Sequence, residues 1–312
     1  MRWVKKGLIY GPDGTKPWAR HSAMQPTPLV QGDAIRVFVG TRDDRDAGSV
    51  AYVDVAIQDP SVILRTATHP GLTPGGRGRF DQDGVIPCAV HEHEGRLRLY
   101  YAGFERRNDD GVRFRAFSGL AESDDGGETF QRVVDDPVLP PSEAEPLFRV
   151  VHSIRREGGR FRAWYGAGSR FIPGPTKSRA IYDVMYAESE DGITFPPSGH
   201  RCVALRADEY RIGRPWVLST AAGYEMFYGV ENRHTPGYRM GYAVSRDGLS
   251  WRRADDAVGI DVSPGAWDGA AIGYPAVVDT PYGRYLFYNG NDFGRAGFGY
   301  AILEDSMAGT LP

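Results

Sequence analysis

Side chains able to do acid–base or hydrogen-bonding chemistry gather at five places in this 312-residue chain, each at or just ahead of a short apolar run. His21 and Gln25 lead into Pro26, and Asp81, Gln82 and Asp83 lead into Pro87. Glu145 and Arg149 precede His152; Glu209, Tyr210, Arg211 and Arg214 lead into Pro215; Trp267, Asp268 and Tyr274 lead into Pro275. Connections further on add Arg42 and Asp43, Asn232 and His234, and Asn289, Asn291 and Asp292. Asp, Asn, Gln and Arg bind paired sugar hydroxyls, Trp and Tyr cover C–H faces, and carboxylates or histidine move protons. The chemistry expected is therefore that of a small polyhydroxylated substrate. Asp83, Glu145, Glu209 and His152 are the catalytic candidates. His21, Gln25, Arg42, Asp43, Asp81, Arg149, Arg211, Arg214, Trp267, Asp268, Tyr274, Asn289 and Asn291 are the binding candidates.

Each candidate also has a plain structural reading. Asp81 and Asp83 suit turns or caps at a strand entrance, and Glu143 and Glu145 lie in a Pro/Glu-rich connection that suits a solvated loop. Arg214 could brace carboxylates, His152 could be a satisfied core histidine, and Asn289 and Asn291 could stabilise a turn.

What must position these groups is a repeated unit. Forty glycines, 22 prolines and 12% aromatics in short apolar runs describe strands. A β-rich run ending in two large residues appears as Val37-Phe38-Val39, Leu99-Tyr100-Tyr101, Ala163-Trp164-Tyr165, Met226-Phe227-Tyr228 and Leu286-Phe287-Tyr288. Its anchors Phe38, Tyr100, Trp164, Phe227 and Phe287 are 62, 64, 63 and 60 residues apart. A proline opens the strand before the anchor at Pro26, Pro87, Pro215 and Pro275, with His152 in that slot in the third unit. An alanine-centred strand follows each anchor, and in three units it runs through a Ser-x-Asp-Gly turn to Phe130, Phe195 or Trp251. Five meanders of about 60 residues predict an all-β, five-bladed β-propeller, a single domain over residues 1–312. The last unit lacks a fourth strand. Trp3-Val4-Lys5 resembles Trp251-Arg252-Arg253, so Trp3 to Tyr10 is expected to complete that blade and close the ring.

Several functions are excluded or disfavoured. With 37 Lys+Arg against 40 Asp+Glu and a net charge of −3, no basic block tracks phosphates, so no nucleic-acid partner is expected. No apolar run reaches membrane length and the start carries no signal-like stretch, which predicts a cytoplasmic chain without a membrane partner. Cys88 and Cys202 read as buried free thiols. There is no Gly-x-Ser-x-Gly, Walker, His-Glu-x-x-His or dinucleotide motif, and no cofactor is expected. His91-Glu92-His93-Glu94 reads as a solvated hairpin turn, and no metal is assigned, although carboxylates beside His21 and His152 leave one open. The oligomeric state is left open.

The proline-led strand, aromatic pair and Ala-x-Ser-x-Asp-Gly pattern resembles the five-bladed propellers of the glycoside hydrolase superfamily containing families 32, 43, 62, 68, 117 and 130. Phe80-Asp81-Gln82-Asp83-Gly84-Val85, Gly213-Arg214-Pro215, Tyr274-Pro275 and Tyr288-Asn289-Gly290-Asn291 are similar to a bacterial branch often found beside sugar and natural-product genes. The resemblance implies a carboxylate on the first inner strand, an Asp on the second and a Glu acid on the third. Here Met24-Gln25-Pro26 has no acid, Asp83 keeps the second position, and Glu145 lies upstream of the third strand. Three readings stay open: a glycoside hydrolase or transferase, a non-hydrolytic enzyme acting on a natural-product intermediate with His152 or His21 as proton carrier, and a sugar-binding propeller without activity.

Overall fold

The computed structural model describes residues 1–109, 111–174, 178–235 and 237–304. It is nearly all β. After β1 (Trp3–Tyr10) come β2 (His21–Gln31), β3 (Ala34–Arg42), β4 (Gly48–Ala56) and β5 (Ile63–Thr66). The second meander is β6 (Gly84–His93), β7 (Arg96–Asp109), β8 (Val112–Ser123) and β9 (Gln131–Arg132). The third is β10 (Phe148–Glu157), β11 (Arg160–Ile172), β12 (Arg179–Ser189) and β13 (His200–Val203), and the fourth is β14 (Glu209–Thr220), β15 (Gly223–Asn232), β16 (Arg239–Ser245) and β17 (Trp251–Arg253). The last contains β18 (Gly273–Thr280), β19 (Gly283–Asn289) and β20 (Phe298–Leu303), and β1 pairs antiparallel with β20, Trp3 opposite Leu303 and Tyr10 opposite Phe298. No helix among the described residues is long and apolar enough to cross a membrane.

Successive meanders touch where the third strand of one briefly runs parallel to the first strand of the next, at Gly48 and Gly84, Ala116 and Phe148, and Tyr182 and Arg211. Strand pairing follows one path from β17 to β2 and another through β1, β20, β19 and β18, and neither closes on itself among the described residues. Side chains join the last meander to the first. Asn289 accepts from the Gln25 N–H at 2.7 Å and donates to Ala23 O at 2.8 Å, and Tyr285 and Phe287 share one apolar core with Ile35 and Val37.

The aromatic anchors explain the repeat. All five are fully buried, and the first three lie under the Asp-Gly turn of the following meander. A Cβ on Gly127 would meet Phe38 at 2.6 Å, one on Gly192 the Tyr100 hydroxyl at 2.7 Å, and one on Gly248 Trp164 at 3.0 Å. These glycines have φ between 74° and 92°, so both the conformation and the close approach require glycine. Ser123, Ser189 and Ser245 hold the turns by accepting the glycine N–H. The backbone N–H groups of Ser250 and Leu249 hold the Asp247 carboxyl down to about 2. In the fourth meander Trp3 of β1 packs edge-on against Phe227 at 6.0 Å.

Candidate functional site

Every inner strand carries a bulge at the same place in its pairing with the second strand: between Met24 and Thr27, Pro87 and Ala89, Val151 and Ser153, Gly213 and Trp216, and Gly273 and Ala276. The residues lifted from the ladder are Gln25, Cys88, His152, Arg214 and Tyr274, three of them with the proline that follows. A proline lacks the ladder donor, and a bulge is where a sheet tolerates it. Gln25, Arg214 and Tyr274 take φ of 52°, 56° and 54°, a left-handed conformation that costs a non-glycine residue about 1–2 kcal/mol. Strain repeated at one level of the fold re-aims these side chains, and such strain concentrates at functional sites.

The bulge residues meet. Arg214, 1% exposed, reaches from β14 to β2 and β6 and donates to Gln25 Oε1 and Cys88 O at 3.0 Å and to Pro26 O and Thr27 Oγ1 at 2.9 Å. Cys88 Sγ donates to the same Gln25 oxygen at 3.5 Å. Burial brings Arg214 down to about 10 and pushes the Cys88 thiol up to about 11, so at neutral pH the first is a cation and the second a thiol. Burial, and then the Arg214 charge, hold His152 well below its usual value, so it is a neutral imidazole with a buried Nδ1 that has no partner. Among the five bulge residues there is one cation and no carboxylate.

Further along the strands one lateral line of the sheets sets His21 opposite Arg42, Arg42 opposite Gly48, and Gly48 opposite Gly84, the neighbour of Asp83. His21 Nε2 sits 3.1 Å from Asp46 Oδ1, and its Nδ1 lies 2.8 Å from Ser22 Oγ. Arg42 lies over the Phe104 ring at 4.5 Å. Asp83, half-buried, accepts from the Arg106 N–H at 2.7 Å through Oδ2. On the other side Arg211 pairs with Glu231 and lies within 5.8 Å of the Tyr182, Tyr238 and Phe293 rings, and Tyr238 packs on Tyr274 at 5.7 Å.

Four expected carboxylates make their contacts elsewhere. Asp81, fully buried, binds Arg132 at 2.7 and 2.8 Å and accepts from the Tyr101 hydroxyl at 3.1 Å. Asp268 binds Lys5 at 2.5 Å and Tyr288 at 3.0 Å; Glu145 binds Arg149 at 2.6 Å and Tyr165 at 3.0 Å. In all three the tyrosine lies 20 residues after the acid. Glu209 binds Arg253 at 2.6 and 2.8 Å. These are clamps within a meander, and none of the hydrogen bonds described ties them to the bulge ring. Arg149 braces Pro140 O and Pro196 O, Asn291 accepts from the N–H groups of Ala270 and Ala271, and Asp43 caps its own turn. Trp267 stacks on Tyr288 at 5.2 Å. The surface depressions lined by Arg96, Glu122 and Arg132, and by Val134, Pro137 and Ile193, follow the second meander's outer edge and bring no bulge residue together.

The chain is 33% identical to the uncharacterized protein Rv1502 of Mycobacterium tuberculosis over 308 residues, covering 98% of this chain and all of the other. It belongs to the Rv1502 family. No family model matches. Among solved structures, BT0996 in a complex with RGII superposes with a TM-score of 0.77 at 21% identity, covering 99% of this chain and 94% of that one. A glycoside hydrolase superposes at 0.76, also at 21%, with the same coverage. The Rv1502 family therefore shares the fold of glycoside hydrolases.

Sequence reading missed Ser22, Asp46, Cys88, Phe104, Tyr182, Tyr238 and Phe293. Only Cys88 carried a signal, being 63 residues after Gln25 and 64 before His152. It also misjudged the His91 segment. His91 is in β6, stacked on Tyr100 at 5.9 Å with both ring nitrogens buried and unpartnered, because the aromatic anchor and Phe161 cover it. No group of three or more His, Cys, Asp or Glu among the described residues could hold a metal ion. Burial first, then His93 and Arg98, bring His91 down to about 4. An unfolded histidine titrates near 6.5, so the unfolded chain takes up the proton first. Stability is then full above about pH 6.5 and falls by about 3 kcal/mol as the pH drops to about 4. Urea unfolding at pH 7 and pH 4.5 should show this loss on top of the one from His152, which is held low in the same way, and His91→Phe should remove its own share while the His152 share remains.

Proposed function

We propose that this chain is a single five-bladed β-propeller, closed by β1, and a glycoside-active enzyme whose substrate sits in the mouth above the bulge ring. The convergence of Gln25, Cys88, His152, Arg214 and Tyr274 carries the reading. Five strands from the whole length of the chain bend at the same level, and polar and aromatic groups border the opening they make. The fold shared with a glycoside hydrolase, and with BT0996 solved in a complex with RGII, supports a carbohydrate substrate. Asp83 is the base or orienting carboxylate, because its Oδ2 is held by one backbone N–H and no cation among the described residues is in ion-pair contact with it. His21, oriented by Asp46, is the second proton-handling group. Glu145 and Glu209 act as clamps in this reading, Arg214 sets the charge beneath the substrate, and His152 stays neutral beside it.

Asp83→Asn should lower kcat on a turned-over glycoside by about 10²-fold or more, with little change in melting temperature. Full activity in that variant would remove Asp83 from the chemistry. One observation favours a second reading. The position where the resembled hydrolases carry a carboxylate holds Gln25, whose side-chain oxygen is occupied by Arg214 and Cys88. A glutamine so held neither takes a proton nor forms a glycosyl ester, which suits elimination, cyclisation or isomerisation with His21 as proton carrier. Chromogenic glycosides and sugar nucleotides separate the two: release that depends on Asp83 supports the first, and uniform silence supports the second. Calorimetry showing an intact sugar bound without turnover would point to a binding protein instead.

A further inference from the structure

The proposed mouth contains a guanidinium group, Arg42, on which Asp46 and Asp43 act only through space. Arg42 Nη1 donates to Asp46 O at 2.8 Å, and Nη2 meets only the Met24 thioether at 3.8 Å. No carboxylate among the described residues is in ion-pair contact with it. Asp46 turns its carboxylate to His21, and Asp43 gives Oδ1 to the N–H groups of Arg45 and Ala47. The guanidinium of Arg106 adds positive charge and, among the described residues, binds the carbonyls of Arg45 and Asp46. Elsewhere Arg36 pairs with Asp54, Arg132 with Asp81, Arg211 with Glu231 and Arg253 with Glu209, and Arg214, which has no carboxylate, still donates to four neutral oxygens. Phe104 covers one face of Arg42 and leaves the Nε and Nη2 edge, the fork that takes two oxygens of an oxyanion, without an oxygen partner. Tyr274, on the bulge ring and within electrostatic reach of Arg42, Arg211 and Arg214, has a hydroxyl with no hydrogen bond to the described residues.

We propose that the mouth recognises a glycoside whose sugar carries an oxyanion, a carboxylate or a phosphate, docked on the Nε and Nη2 edge of Arg42 and the hydroxyl of Tyr274. This rests on the glycoside reading above and narrows its substrate class. A ligand anion supplies the charge that the fold leaves out, and it does so in a partly desolvated place where such a pair is stronger than in water. A neutral sugar leaves the fork unanswered, so the preference is for the acidic form of an otherwise equal ligand.

The test is calorimetry on the full chain with methyl glycosides of gluco, galacto and manno configuration, their uronates, the sugar 1-phosphates, and inorganic phosphate and acetate alone. At least one acidic sugar should bind 10-fold or more tightly than its neutral counterpart, and uronates against 1-phosphates tell which oxyanion is meant. Arg42→Gln should bring the ratio of acidic to neutral affinity close to one, whatever it does to the neutral sugar itself, and Arg42→Lys should restore only part of that ratio. On the unaltered protein the preference should shrink between 50 mM and 500 mM salt, a readout that does not depend on a variant folding. Neutral and acidic sugars binding equally, or a preference that survives Arg42→Gln, overturns the anion site and leaves the glycoside reading standing. Phosphate or acetate binding as tightly as the acidic sugars overturns the glycoside reading, because the ring then contributes nothing. Silence toward every sugar and anion overturns both.

Discussion

A chain lacking residues 1–10 should melt more than 10 °C below the full chain and sit close to unfolding at 37 °C. Three losses add together. Removing Trp3, 6% exposed against Phe227, resembles a tryptophan-to-alanine change in a core, about 3–5 kcal/mol. Removing Lys5 leaves Asp268 buried with only hydroxyls to answer it, in the range of about 3–5 kcal/mol for a broken buried pair. The ladder from Trp3 to Tyr10 is lost as well, which bares the edge of β20. The total is comparable with the whole stability of an ordinary domain, about 5–15 kcal/mol. Thermal unfolding followed by circular dichroism measures it, and an unchanged curve would show that β1 is dispensable and the proposed closure is wrong.

Arg132→Met should destabilise the protein by about 3–5 kcal/mol, measured by urea unfolding at pH 7. Asp81 is fully buried, and without Arg132 its carboxylate keeps the Tyr101 hydroxyl as its hydrogen-bond donor. The desolvation already imposed on the acid is then uncompensated, and that penalty exceeds the modest net gain of one neutral hydrogen bond. The double change Asp81→Leu with Arg132→Met should recover much of the loss, since an apolar pair removes both charges together. The same experiment separates structure from chemistry. If Asp81 is a clamp, activity in the double variant follows the fraction folded; if Asp81 handles substrate, activity disappears while stability returns.

The positions of Gln25, Arg214 and Tyr274 at the bulges are legible in the sequence for a physical reason, whereas His152 is legible only from its place in the repeat. A proline inside a strand forces a bulge, and the bulge sets the direction of the residue beside it. Cys88 escapes the same logic because its proline precedes it, whereas Pro26, Pro215 and Pro275 follow their ring residues. The clamps are hard to see. The tyrosine that holds each acid is concealed within the aromatic pair of the second strand, and the cation arrives 51 residues later for Asp81 and 263 residues earlier for Asp268. Tyr182, Tyr238 and Phe293 come from positions that no repeat marks, so only the folded chain brings them to Arg211.

The sharing of the last meander between the two ends of the described chain has a consequence for how the protein is made. Of the described strands β1 leaves the ribosome before all others, and its partner β20 begins almost 300 residues later. At about 5–20 residues per second, this first segment waits roughly 15–60 s before its mate exists. Three of the intervening rings wait far less, since Phe38, Tyr100 and Trp164 are each covered by the turn of the very next unit. Assembly can thus advance one unit at a time along the nascent chain, and the step that must wait for β20 is the docking of β1.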